Sequence, residues 1–199
     1  MIKKCGRTFV SFLLVFLLVT SVFTVTGYAA LPTISPNKLT YGSKNITFTC
    51  GSGTNGTATD STIAVTVNDS DKSVDIDIQT KSNTNRKLNL IASIPKGYIM
   101  HFDYEIELAE GIKSQFVKYT PQGQDASITS PIADNNHYLL VCAAASSGTT
   151  NSATIGFEVS GKNQHFKAHL RNVDLVKSQN VSVNVTAPQN GSVTVATRP

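Results

Sequence analysis

Four polar side chains alternate along one strand-like stretch near the middle of the chain: His101, Asp103, Glu105 and Glu107. Alternate residues of a β-strand point to the same side and lie about 6.6–6.8 Å apart. Two carboxylates at that spacing could flank a glycosidic bond, and a histidine beside an aspartate could share a metal ion. The same row is typical of a solvated sheet face that meets a partner, and no neighbouring residue marks one acid for a raised pKa. We therefore assign these four residues to a candidate binding face and assign no catalytic residue.

Two other patterns resemble metal sites but have the wrong spacing. His165 and His169 would share one face of a helix, but their surroundings alternate like a strand, in which four residues span about 13 Å. An EF-hand loop starting at Asp69 would need glycine and glutamate where the chain has Val74 and Thr80. A calcium site of another type between loops stays open, although these acids fit a turn better. The sequence predicts no metal, and it has no nucleotide-binding glycine motif, so no cofactor is expected.

The segments that position these residues alternate apolar and polar side chains with a period of two, which is typical of β-strands. Tyr98 to Leu108 alternates apolar and polar residues, which predicts a strand with one buried and one wet side. Tyr138 to Ala145 is continuously apolar and is predicted to be a central, fully buried strand. Asn190-Gly191 joins two alternating segments and predicts a final hairpin over 181–195. About nine or ten short strands without βαβ alternation predict an all-β fold, an antiparallel β-sandwich of the jelly-roll or immunoglobulin-like type.

The first 30 residues have the composition of an export signal. Lys3, Lys4 and Arg7 precede an apolar run of about 17 residues, and Ala29 and Ala30 offer a cleavage position. A retained membrane anchor is the alternative, but the small residues after the run favour cleavage, so no membrane span is expected afterwards. Removing those three bases from 17 leaves 14 against 13 acidic residues, so the formal charge of +4 does not indicate nucleic-acid binding. We expect a secreted, extracellular protein.

Signal removal leaves Cys50 and Cys142 as the cysteine pair. An even number of cysteines in an exported chain predicts one disulfide, here closing a loop of about 92 residues and contributing about 4–5 kcal/mol. Two separate buried thiols are the alternative. An antibody-like domain is not indicated, because the chain has no tryptophan and carries Leu140 two residues before Cys142. Residues 31–60 are predicted to be a lead-in with the first strand, joined to 61–199 in one globular domain.

From Ser61 onward the order of strands resembles that of cohesin modules. The long strand ends in FDYEIEL, and YLLVCAA, GTTNSATIGFEVSGK, LRNVDLV and NGSVTV follow it. In cohesin-like modules of secreted bacterial proteins, a strand similar to ATIGFEV precedes one similar to LRNVDLV. The resemblance covers about residues 61–195 and implies a nine-stranded jelly-roll sandwich. The cysteine pair and residues 31–60 depart from it, and no dockerin-contact residue can be transferred to this chain.

These observations favour a secreted, non-catalytic binding module, with an extracellular protein as the first hypothesis for its partner. A polysaccharide partner is the alternative, and without tryptophan its stacking platform would have to come from Tyr41, Tyr119 or Tyr138. A glycoside-processing enzyme is the third hypothesis. It requires a concave pocket that holds two carboxylates of the acidic row, with at least one of them buried.

Overall fold

The structure is a computed structural model and describes residues 30–55, 61–122, 124–142 and 149–178. The body of the predicted export signal and the predicted hairpin at 181–195 lie outside these residues. No helix in the described ranges is long and apolar enough to cross a membrane. Eleven strands occur within them: β1 Lys38–Tyr41, β2 Lys44–Cys50, β3 Ser61–Asn68, β4 Ser73–Thr80, β5 Thr84–Pro95, β6 Tyr98–Ala109, β7 Ile112–Tyr119, β8 Ile128–Pro131, β9 Asn136–Leu140, β10 Thr150–Gly161 and β11 Gln164–Lys177.

The strands form two sheets in which neighbours run antiparallel. One sheet has six strands in the order β1-β2-β5-β10-β7-β8, and the other has five in the order β3-β4-β11-β6-β9. Most neighbours are distant in sequence, so the sheets are built chiefly by long-range pairing. The predicted all-β antiparallel sandwich is confirmed.

The core lies between the two sheets, where the apolar side of each alternating strand points. Its centre is a row of three aromatic rings from both sheets. The Tyr104 and Phe157 rings have centroids 6.3 Å apart, and the Phe157 and Phe166 rings have centroids 5.6 Å apart. Tyr104 also donates a hydrogen bond of 2.7 Å from its hydroxyl to Oε1 of Gln115 in the opposite sheet. Burying each ring contributes about 1.5–3 kcal/mol, so this row joins the sheets as well as filling the space between them.

Phe116 and Gly156 occupy paired positions on the outer side of the six-stranded sheet, where Gly156 of β10 also pairs with Asn89 of β5. A Cβ atom built on Gly156 would lie 2.2 Å from Cζ of Phe116. The aromatic ring therefore lies directly across the glycine. A side chain at position 156 would occupy the space that the ring fills.

The described part of the predicted lead-in, residues 31–55, contains two strands instead of one. β1 and β2 form a hairpin at the edge of the six-stranded sheet, with Leu39 paired to Ile46. Both of these side chains are fully buried, because they extend the alternating inner surface of β5. The N-terminal part of the described chain is therefore part of the same core.

The prediction of a central, fully buried strand at Tyr138 to Ala145 is wrong for its described part, which ends at Cys142, and residues 143–145 lie outside the described residues. β9 ends at Leu140 and lies at the edge of the five-stranded sheet, with β6 as its neighbour. Leu139 is 54% exposed, because its side chain points to the outer side of this edge strand. A continuous apolar run is compatible with burial on both sides, but the described part of this run is covered on one side only.

The predicted disulfide between Cys50 and Cys142 is also wrong, since both are free thiols. Cys50 pairs with Leu90 on β5, whereas the Cys142 carbonyl accepts a hydrogen bond from Asn151, which pairs with Ile94. Leu90 and Ile94 are four residues apart on one strand, about 13 Å, and further strands separate the two thiols sideways. A disulfide needs Cα atoms within about 7 Å. Burial raises the pKa of the Cys142 thiol to about 11.

Candidate binding face

The predicted row lies on the outer side of the five-stranded sheet. On β6, Met100, Phe102 and Tyr104 are fully buried and Ile106 packs against the core, so the residues that alternate with them point outward. The predicted orientation of His101, Asp103, Glu105 and Glu107 therefore agrees with the structure. Their role as a binding face stays a prediction.

Strand pairing places further polar side chains beside this row, and we call the whole set the polar face. The face comes from four neighbouring strands of the sheet and includes all four histidines of the chain. Its members are Asp75, Asp77 and Gln79 on β4, His165, Lys167, His169, Arg171 and Asp174 on β11, His101, Asp103, Glu105 and Glu107 on β6, and His137 on β9.

His169 lies at the centre of the polar face and bridges two strands. Its Nδ1 is 2.7 Å from Oδ1 of Asp75, and its Nε2 is 3.1 Å from Oε2 of Glu107. Arg171 donates from Nη1 to the same Asp75 oxygen over 3.1 Å, and its Nε lies 3.6 Å from Glu105. The His169 side chain is only 14% exposed, so the surrounding carboxylates hold its ring in place.

A second cluster surrounds Asp103 near the edge of the sheet. His137 Nδ1 lies 2.6 Å from one carboxylate oxygen, and the Asn172 amide donates to the other over 2.7 Å. Asn172 reaches this position because it lies in an irregular part of β11, where its φ is +48°. The neighbouring His101 contacts Asp174 at 3.3 Å, and its ring lies 5.2 Å from that of His137.

The third cluster lies at the other end of the face. His165 Nε2 is 3.1 Å from Oδ1 of Asp77, and Gln79 donates to the same oxygen over 3.2 Å. Lys167 donates to Glu107 over 3.4 Å. His165 and His169 thus engage different carboxylates. Among the described residues, no group of three or more histidine, cysteine or acidic side chains is arranged to hold a metal ion.

A shallow hollow opens on the polar face beside His169. Thr66 and Ala64 of β3 form one side of it, and Asp77, Lys167 and Glu107 contribute polar atoms around it. It is a depression in an open sheet surface that is lined by both charged signs. It can therefore offer a ligand hydrogen-bond donors and acceptors together.

The carboxylates of the row do not have the environment of a catalytic acid. The side chains of Asp103, Glu105 and Glu107 are 38%, 51% and 53% exposed. Hydrogen bonds from Asn172 and His137 lower the pKa of Asp103, and hydrogen bonds from His169 and Lys167 lower the pKa of Glu107. A general acid in glycoside hydrolysis needs a raised pKa. The condition set for the enzyme hypothesis is therefore not met by this row.

The three tyrosines considered for a stacking platform are half-buried and engaged elsewhere. Tyr41 donates from its hydroxyl to the Val173 carbonyl over 2.5 Å, and burial raises its pKa. The Tyr138 ring stacks on Phe102 at 5.6 Å, and its hydroxyl accepts a hydrogen bond from the Ala133 amide. Tyr119 is half-buried against the core. These tyrosines stabilise the fold and do not form a planar exposed row.

Comparison with known proteins finds similarity only among solved structures; no protein family and no curated protein matches the chain. PfGH50B is similar with a TM-score of 0.34 and 10% identity over 69% of this chain and 23% of its own length. A carbohydrate-binding module of the β-sandwich superfamily gives a TM-score of 0.33 and 11% identity over 66% of this chain and 57% of its own. The family 11 carbohydrate-binding module of the cellulosomal cellulase Lic26A-Cel5E of Clostridium thermocellum gives 0.31 and 15%, over 71% and 92%.

These similarities do not assign a function to this chain, which spans less than two thirds of the length of the first two structures. The β-sandwich architecture is established by the strands themselves. The cohesin resemblance is not confirmed and stays a prediction.

Proposed function

We propose that this chain is a secreted, non-catalytic module that binds an extracellular polysaccharide through the polar face. The observation that carries the proposal is the chemistry of the face around the hollow beside His169. Carboxylates there accept hydrogen bonds, the Lys167 ammonium and the Arg171 guanidinium donate them, and imidazole can do either. Sugar hydroxyls also donate and accept. The open sheet surface around the hollow leaves room for a polymer to extend in both directions.

The distribution of apolar side chains on this sheet disfavours a large protein interface. The centre of a stable protein–protein interface is depleted in charged residues and enriched in aromatic side chains and methionine. The centre of the polar face is charged, and the strongly exposed apolar residues of β9 and β11 are Leu139 and Val176. Both lie toward one end of the sheet, where they pair with His101 and Ile99. A polyhydroxylated ligand suits this arrangement better.

An extracellular protein remains the second candidate because of the charge of the face. Its six carboxylates and two bases give a net charge of −4 when the imidazoles are neutral. Charge complementarity of this kind speeds the encounter with a basic partner. The two candidates differ in which ligand the same side chains contact.

Affinity electrophoresis in gels that contain hydroxyethylcellulose, xylan or mixed-linkage glucan tests the proposal. We expect at least one polysaccharide to retard the purified protein, and Asp77→Asn or Lys167→Ala to weaken the retardation by about tenfold or more, the usual loss when a charged hydrogen bond is removed. Glu158→Gln is the matched control. Glu158 pairs with Lys87 at 3.2 Å on the outer side of the other sheet, so this variant should migrate like the wild type.

Absence of retardation in every gel would contradict the polysaccharide proposal. Retardation that Glu158→Gln reduces as much as Asp77→Asn would place binding elsewhere on the chain. Capture of a basic extracellular protein that depends on Asp77 and Lys167, without polysaccharide binding, would establish the second candidate instead.

A further inference from the structure

We infer that His169 is a proton-dependent cross-link that controls how many carboxylate oxygens the polar face offers to a ligand. This inference deepens the proposed function, since it concerns the same hollow. Both ring nitrogens of His169 face carboxylates, Asp75 at 2.7 Å and Glu107 at 3.1 Å.

A neutral imidazole has a single N–H, so it can donate to only one of these two carboxylates. Its other nitrogen then directs a lone pair at a carboxylate oxygen, which is repulsive at these distances. An imidazolium has two N–H groups and can donate to both. The two contacts of His169 are therefore satisfied together only when the ring is protonated, and imidazole is the side chain that ordinarily changes charge between about pH 5 and 8.

The groups around His169 decide what protonation does. Asp75 and Asp77 face it from β4, and Glu105 and Glu107 face it from β6. On its own strand Lys167 and Arg171 already contact Glu107 and Asp75. A protonated ring joins β4 to β6 across β11 and engages one oxygen of each flanking acid. A neutral ring that donates to Asp75 releases Oε2 of Glu107 toward the hollow, where a ligand hydroxyl can donate to it. The Asp75 oxygen stays paired with Arg171 in either state.

The remaining histidines do not share this arrangement. His165 has one carboxylate contact, to Asp77, and its Nε2 also lies 3.4 Å from the Gln79 amide. His137 contacts Asp103, and His101 contacts Asp174. Protonating any of them adds positive charge to the face, but only His169 spans two carboxylates on different strands among the described residues. His165 is thus the matched control, since it lies on the same strand and the same side.

Two measurements test the inference. In the ligand-free protein, NMR titration should show the His169 ring gaining its second N–H as the pH falls, with the Glu107 carboxyl signal moving in step. Retardation by the polysaccharide that binds most strongly near neutral pH should weaken about tenfold between about pH 7.5 and about pH 5. His169→Gln should remove this pH dependence, and His165→Gln should keep it.

Glu107 signals that do not follow the His169 ring would overturn the cross-link. So would a pH dependence of binding that survives in His169→Gln, or one that His165→Gln removes equally. If no polysaccharide binds at any pH, the proposed function has failed, and the ring signals alone decide whether the cross-link exists.

Discussion

Gly156→Ala should destabilise the protein although alanine normally suits a strand better than glycine. The new Cβ would lie 2.2 Å from Cζ and 2.4 Å from Cε1 of Phe116. Carbon atoms in good contact are about 3.5–4.0 Å apart, so the ring has to move by more than 1 Å away from the sheet. Overpacking of this kind costs about 1–3 kcal/mol, which outweighs the roughly 0.5–1 kcal/mol that replacing a strand glycine ordinarily contributes.

Urea unfolding of four proteins measures this effect as a double-mutant cycle: the wild type, Gly156→Ala, Phe116→Ala and the double variant. Removing the ring opens the space above position 156, so Gly156→Ala should be neutral or stabilising by up to about 1 kcal/mol in the Phe116→Ala background. The two substitutions should therefore couple by about 1–3 kcal/mol, the overpacking cost itself. An equal loss from Gly156→Ala in both backgrounds would refute the reasoning, because the ring would then not be what excludes the methyl group.

Two further predictions concern the cysteines and acid stability. The signal-free protein, once unfolded, should show two free thiols in a thiol assay without reductant. Reductant should also leave the free energy of unfolding of the folded protein in urea unchanged. A fall in that free energy of about 4–5 kcal/mol on reduction would instead indicate a disulfide closing the long loop between Cys50 and Cys142. Asp103 has a lowered pKa in the folded state, so its stabilisation is present above the unfolded value of about 3.9 and is lost as the pH falls through the folded value. Urea unfolding between about pH 5 and about pH 2 should therefore show a larger loss in the wild type than in Asp103→Asn, and equal losses would contradict this assignment.

The sidedness of β6 could be predicted because a period of two directly reports which side of a strand is buried. The hydrogen-bond partners of its polar residues could not be predicted. His137 and Asp103 are 34 residues apart, and His169 and Asp75 are 94 apart. Their contacts depend on strand order and register, which the local pattern does not contain. The individual acids of the row were found, but the clusters that they form with β4, β9 and β11 were missed.

The incorrect predictions have the same physical origin. The apolar run that begins at Tyr138 indicates burial, but it does not say whether a strand has one neighbour or two. The pairing of Cys50 with Cys142 was inferred from the number of cysteines and the expected compartment, and neither quantity contains a distance. Phe116 covering Gly156 had no sequence signal, because a glycine within an alternating strand is also typical of a bulge.

The order of strands has a consequence for how the chain folds. β10 and β11 are the last two strands in the described part of the chain, and each lies inside its sheet. β10 is the neighbour of β5 and β7, and β11 is the neighbour of β4 and β6. Neither sheet can therefore be completed before these strands have been synthesised, and non-local pairing of this kind also slows folding. The growing polypeptide should stay largely unstructured until β10 and β11 are available, and an unstructured chain can pass through a channel that is too narrow for a folded domain.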